Sequence, residues 1–198
     1  MTTDFRVSKI PSKEGKQYIK DNHYSGSCHN GPMCWGLYYK DSLSGVCAFA
    51  TPCSENVRAS IFGKKHKDRV TELHRLHTKD DLPKNTTSWF VSRAIQGLIE
   101  YRPSIRAILS FADSTEGHIG TIYKALNFEY KGTSSPAWFY RDQNGCLRHP
   151  RQSGVNISNQ EAKKKGWLRE KRDSKIRYLL IVGPNKSEKR YWSKKVTI

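Results

Sequence analysis

Acidic side chains are scarce in this chain: 18 Asp and Glu accompany 35 Lys and Arg, for a formal net charge of +17 over 198 residues. Such an excess repels itself in a free protein, and a polyanionic partner relieves it as Lys and Arg release counterions from phosphates. Long apolar runs are missing too. None approaches the roughly 20 residues that span a bilayer, so no membrane partner is expected. The start, Met1-Thr2-Thr3-Asp4-Phe5-Arg6, is polar and has no secretory character, which makes the cytoplasm the expected setting. The five cysteines include no close pair: Cys28 and Cys34 flank His29, and Cys47 and Cys53 stand apart. That spacing excludes a disulfide scaffold and lacks the paired pattern of structural zinc. Repeats and low-complexity linkers are absent. A length of 198 residues with 11% aromatics fits one α/β domain with an appendage, large enough to bury a real core.

The positive charge is unevenly placed. Residues 141–198 hold 16 Lys and Arg against 5 acids, whereas residues 1–140 hold 19 against 13. The expected organisation is therefore a catalytic domain over 1–140 and a basic C-terminal extension over 141–198 that grips nucleic acid. Arg148, Arg151, Lys163, Lys164, Lys165, Lys171, Arg172, Lys189 and Arg190 are the candidate phosphate contacts on double-stranded DNA.

Periodicity predicts a helix over 12–22 and a hairpin whose strands are 35–39 and 45–50, with Pro52 closing the second. Residues 54–69 read as a polar, basic loop with some local structure, and 70–76 as a strand. A helix over 85–101 follows, with Phe90, Val91, Ala94, Ile95 and Leu98 at helical spacing. Ala107-Ile108-Leu109-Ser110-Phe111-Ala112 is a continuous apolar run, as in a buried central strand, and it stops at Asp113. A short helix through Ile122–Leu126 and two strands, near 128–130 and 137–140, read as a closing hairpin. Residues 158–167 read as a helix and 176–182 as a strand. The order gives a mixed α/β (α+β) fold with a partly antiparallel sheet flanked by helices.

Ligands of α/β sheets sit beyond the carboxyl ends of central strands, where Asp113 lies. Asp113 suits a proton acceptor, or simply the cap of a following turn. Gly117 and Gly120 allow close backbone approach to an anion.

Several stretches together resemble the phage Mom DNA-modification family. They are Asn22-His23-Tyr24-Ser25, then Glu72-Leu73-His74-Arg75-Leu76 with Leu82-Pro83-Lys84-Asn85 and Ser88, then Ser110-Phe111-Ala112-Asp113 with Gly117-His118-Ile119-Gly120-Thr121-Ile122-Tyr123 and Asn127-Phe128. The ending Tyr-x-Ala-x-Asn-Phe also resembles GNAT acyltransferases. The resemblance implies a GNAT-like fold and conversion of the N6 amino group of DNA adenine to a carbamoylmethyl form, which shields phage DNA from restriction enzymes in the host cytoplasm. It further implies that His23, Tyr24 and Asp113 form the metal or substrate group, the metal being iron, and that an acetyl-CoA-like donor is used; without a metal, Asp113 would accept the adenine amino proton and His23 would act as acid or base. Arg75, Lys84, Asn85, Ser88, Gly117 and Gly120 would lie on the donor side, and Ser110 and Tyr123 would line the catalytic pocket. His, Tyr and Asp are ligand types suited to iron. The glycine-rich loop by which GNAT enzymes hold a pyrophosphate has no counterpart in Asp80–Ser88. Two other readings stand beside this one: a CoA-dependent N-acetyltransferase acting on a protein, RNA or small amine, and a non-catalytic DNA-binding protein on a degenerate acyltransferase fold.

Overall fold

The structure is a computed structural model that describes residues 4–152 and 155–198. In chain order the elements are β1 (Phe5–Ile10), α1 (Ser12–Asn22), β2 (Met33–Tyr39), β3 (Ser42–Ala50), α2 (Glu55–Phe62), β4 (Val70–Thr78), α3 (Thr86–Tyr101), β5 (Ala107–Asp113), α4 (Thr121–Ala125), β6 (Glu129–Thr133), β7 (Ala137–Arg141), β8 (Leu147–Arg148), β9 (Arg151–Gln152), β10 (Val155–Asn156), α5 (Asn159–Lys164), β11 (Leu168–Arg172), β12 (Lys175–Ile181) and α6 (Lys186–Ser193). The main sheet has seven strands in the order β1-β2-β3-β4-β5-β12-β6. Every neighbouring pair is antiparallel except β4 and β5.

Alternation along the strands feeds two layers of helices. Trp35, Leu37, Cys47, Phe49, Leu73, Ile108 and Ala112 pack with Phe90, Val91, Ala94, Ile95 and Leu98 of α3. On the opposite face Val46 and Ala48 meet Ile19 of α1, while Val70, Ala107, Leu109 and Leu179 meet α2 and Trp192 of α6. Each such fully buried large side chain contributes roughly 1.5–3 kcal/mol relative to exposure. The β2–β3 connection is two residues long, and Lys40 and Asp41 both take positive φ (47° and 62°), the geometry that matches strand twist in tight hairpins.

Three expectations change. Residues 54–69 are not a loop: Ser54 accepts from the Val57 amide to cap α2, and a 3₁₀ turn over Lys64–Arg69 follows. The strands near 128 and 137 do not form a hairpin with each other, since β6 pairs with β12 and β7 pairs with β11 and β8. Finally, β12 lies between β5 and β6, paired with β5 over seven residues from Lys175↔Asp113 to Ile181↔Ala107. The central sheet therefore runs across the boundary expected at residue 140. What stands apart from that sheet is an insertion, residues 134–174, built around the small sheet β11-β7-β8 and α5.

Candidate functional site

The parallel pair β4–β5 opens like a V. Its ladder holds only for Val70↔Ala107, Thr71↔Ile108 and Glu72↔Leu109. A bulge at His74, where the register to β3 slips between Ala48 and Phe49, bends β4 away from β5. One step past the last ladder pair, the buried Ser110 hydroxyl donates to the Leu73 carbonyl across 3.0 Å. Ser110 thus braces the apex of the V.

A cleft of 260 Å³ lies at the mouth of this opening, lined by His23, Tyr24, Leu76, His77, Thr78, Thr87, His118 and Ile122. Its scale suits a single flat base, below the roughly 300–1,000 Å³ of drug-sized sites. A larger, shallow depression of 520 Å³ lies along α1, lined by Pro11, Lys13, Glu14, Gln17, Tyr18 and Leu43. The smaller cleft is the better candidate because polar groups from four separate segments converge there. Tyr24 is 54% exposed at its rim, its ring 4.3 Å from His23 and 5.4 Å from His118 between centroids.

His23 is fixed by its neighbours. Nδ1 accepts from the Ser25 amide at 3.1 Å and lies 2.9 Å from the Ser25 hydroxyl. An accepting Nδ1 leaves the ring proton on Nε2. Burial, then the positive charge of Arg75 and three further histidines, depresses the His23 pKa to about 3. At neutral pH His23 is therefore an uncharged donor with its free lone pair already engaged.

Asp113 is also engaged. Its Oδ2 lies 3.1 Å from Lys175 and 3.3 Å from Arg172, and Oδ1 accepts from the Thr115 amide. Burial opposes its ionisation, but the Lys175 and Arg172 cations outweigh that and hold the pKa below 3.8. The expected trio His23, Tyr24, Asp113 does not fit an iron ion: one ligand is ion-paired to two cations and another has its Nδ1 occupied. Among the described residues no group of three or more His, Cys, Asp and Glu is arranged to hold a metal.

The donor-side expectations also resolve into local roles. Arg75 turns to the α1–β2 connection, with Nε donating to the Ser27 carbonyl at 3.0 Å. Asn85 is the left-handed N-cap of α3, and its carbonyl accepts from the Ser88 hydroxyl. Lys84 is exposed. Thr87 ties α3 to the end of β4 through a 2.9 Å contact with Thr78, and beside it the buried Thr86 hydroxyl has no protein partner. Gly117 is open to solvent in a left-handed turn, whereas Gly120 (φ +75°) lies directly on the Tyr178 ring. Tyr123 packs between Phe128 and Tyr178, and burial raises its pKa to about 12.

Glu72 and His74, which carried no role in the sequence reading, stand where β4 parts from β5. His74 Nδ1 lies 3.3 Å from Glu72 Oε1 and both side chains are largely buried. Burial lowers the His74 pKa despite the carboxylate, so the neutral ring donates Nδ1–H to Glu72 and keeps a lone pair on Nε2. The His29 and His74 rings meet edge to face at 5.0 Å. Glu at i and His at i+2 on a strand is too common a pattern to mark itself; the bulge that sets it at the V is visible only in three dimensions.

The cations divide into two groups. The insertion docks on the loop after β5, at the cleft's end of the sheet: Arg172 bridges Asp113 and Glu116, Thr115 Oγ1 accepts from the Asp173 amide, and the Ser114 hydroxyl donates to the Ser174 carbonyl. Arg172, expected at phosphate, is instead a buried clamp at 8% exposure. Arg148 pairs with Asp142 at 2.7 Å. Lys163, Lys164, Lys165 and Lys171 are exposed on the insertion, and the side chain of Arg151 lies outside the described residues. Lys189 and Arg190 belong to α6, which follows β12 at the opposite end of the sheet from the cleft. Asp113→Asn is expected to lower the thermal midpoint by loosening this clamp, at a cost of about 1–3 kcal/mol. The wild type should lose the same increment as pH falls from the ordinary Asp value of 3.8 down through the depressed pKa of Asp113, because a depressed acid stabilises only while ionised. An unchanged melting curve for the variant at pH 7 would contradict the clamp.

Comparison with known proteins joins these features. The sequence profile of the Mom protein family matches residues 4–195. The methylcarbamoylase Mom of Escherichia phage Mu is 25% identical over 162 residues, 78% of this chain and 67% of that protein. The fold is similar to that of the Escherichia coli ribosomal-protein-S18-alanine N-acetyltransferase (TM-score 0.54, 8% identity, 91% of this chain and 96% of that one). It is likewise similar to the Salmonella typhimurium putative acetyltransferase YncA, solved with its cofactor acetyl-CoA (TM-score 0.51, 10% identity, 93% and 97%). The fold is thus that of the GNAT acetyltransferases, as the sequence resemblance implied. No helix among the described residues is long and apolar enough to cross a membrane.

Proposed function

The chain belongs to the Mom protein family, and from that premise we propose that it is a transferase modifying the N6 amino group of adenine in phage DNA, converting it to a carbamoylmethyl form that resists restriction. The observation that carries this reading is the base-sized cleft at the open end of β4 and β5, ringed by Tyr24, His23 and His118, with the cationic insertion docked on the adjoining loop.

An adenine amino group inside a duplex is poorly reachable, so the base is flipped into the cleft. The exposed Tyr24 ring and its His118 neighbour offer flat surfaces for it. A small-molecule donor carrying a leaving group on the CH2 carbon of a carbamoylmethyl unit would supply the carbon electrophile, since plain acetyl transfer would give an amide instead. N6 forms a bond to that carbon and loses one proton, while the leaving group departs with the bonding pair. His74 Nε2, oriented through Glu72, is the proton acceptor. Tyr123, protonated at neutral pH because burial raises its pKa, is the donor toward the leaving group. Neither Asp113 nor His23 is assigned the base role, since both are committed to neighbours. No step runs through iron, which the donor set does not fit.

Expression with a plasmid, digestion of its DNA and measurement of nucleoside masses tests the reading. A new deoxyadenosine adduct is expected. Tyr123→Phe should reduce it by about 10²-fold or more while leaving DNA retention intact. DNA that stays unmodified although the protein binds it would favour the non-catalytic reading. An acetylated amine other than adenine would favour a plain N-acetyltransferase.

A further inference from the structure

Beyond the cleft, the insertion carries a surface that no step above uses. Strands β7 and β11 pair so that Trp138 faces Lys171 and Tyr140 faces Arg169, which puts all four on one side of the small sheet. Tyr140 is buried, its hydroxyl donating to Asn159 at 2.6 Å at the start of α5, so α5 covers that end. Lys163 and Lys164 of this helix and Lys165 at its C-cap are exposed. The other end is open. Trp138 is 44% exposed, with the Arg169 guanidinium 3.8 Å from its ring centroid and Lys171 directly across the strand pair.

Residues 134–174 hold nine Lys and Arg against four Asp and Glu. Arg141, Arg148 and Arg172 are neutralised by Glu170, Asp142 and the Asp113–Glu116 pair. Among the described residues, Arg169, Lys171 and the three lysines of 163–165 enter no salt bridge. Two of these unpaired cations, Arg169 and Lys171, adjoin one exposed indole, which is the make-up of a single-strand stacking platform: an aromatic face for a base and cations for its flanking phosphates. A purely electrostatic duplex grip would not need the indole.

We propose that the Trp138–Arg169–Lys171 face is a second nucleotide seat, which stacks an unpaired base of DNA opened beside the cleft. This rests on the DNA-modifying reading. Its occupant is a nucleobase left without its partner, and the seat favours flipping by binding the opened duplex more tightly than the closed one.

The test uses the full-length protein and two labelled probes of equal length, a matched duplex and a duplex with one unpaired adenine, titrated by fluorescence anisotropy at several salt concentrations. The wild type should prefer the unpaired probe. Trp138→Ala should remove roughly 10-fold of its affinity for that probe, with matched-duplex binding and salt slope little changed. Trp138→Phe should retain most of the preference. Lys171→Ala should weaken both probes and flatten the salt slope by about one ion. Thermal melting checks that each variant is folded. Equal binding of both probes by the wild type, or a folded Trp138→Ala that keeps the preference, overturns the seat. Because this readout needs no group transfer, it separates from the plasmid assay. A modified plasmid with an indifferent Trp138 sinks the seat alone; an unmodified plasmid with a sensitive Trp138 sinks the transferase reading alone.

Discussion

Gly120→Ala is expected to lower stability by about 2–5 kcal/mol and to abolish the DNA adduct. Two costs add. Gly120 sits at φ +75°, where a residue with a Cβ loses about 1–2 kcal/mol. The added Cβ would also overlap the ring and hydroxyl of Tyr178. Tyr178 cannot retreat: it is 2% exposed, donates to the Ile119 carbonyl at 2.8 Å and packs at a tilt against Tyr123, 5.3 Å between ring centroids. Overpacking such a position costs about 1–3 kcal/mol. For a chain of this size the sum corresponds to a fall of roughly 4–20 °C in Tm. If the backbone yields instead, the 117–120 turn moves and takes His118 and Tyr123 with it, so activity goes even where the protein survives. Gly117→Ala is the control, because nothing lies within 4 Å of its Cβ position and only the backbone cost remains. Equal melting curves for the two variants would show that the Tyr178 contact is not what requires the glycine.

That pair also shows what the sequence could and could not say. Gly117 and Gly120 stand out in the sequence, and their spacing suggests room for a ligand anion, yet the space under Gly120 is taken by a tyrosine 58 residues later in the chain. The elements themselves were largely legible. The helical spacing of Phe90, Val91, Ala94, Ile95 and Leu98 and the unbroken run 107–112 mark α3 and β5 without ambiguity. β1 was silent because its burial alternates weakly along Phe5–Ile10, and α2 was masked by polar composition. The order β5-β12-β6 could not be read, because pairing across the insertion is a non-local choice. The same limit hid the chemistry. Asp113 at the end of a central strand looks like a reactive carboxylate until Lys175 and Arg172, some 60 residues on, are seen to neutralise it.

His74→Gln should reduce adduct formation by about 10²–10⁴-fold, the usual contribution of a positioned proton acceptor, while leaving the fold and DNA binding close to normal. Glutamine keeps an amide that can donate to Glu72, so the local packing survives, but it carries no basic lone pair. The pH dependence sharpens the test. Burial lowers the His74 pKa below 6.5, with Glu72 pulling the other way, so the neutral, accepting form dominates at neutral pH. The rate should be flat there and fall on the acid side, below 6.5, as Nε2 takes a proton from solvent. Glu72→Gln removes the carboxylate that holds the proton on Nδ1 and raises the basicity of the ring, so it should move the acid limb to lower pH and cut the rate by a smaller factor. His23 gives no such limb, because its pKa of about 3 keeps it neutral throughout the working range. If His74→Gln retains both the rate and the acid limb, proton removal from N6 takes place elsewhere, and the pair at the apex of the V only braces the bulge in β4.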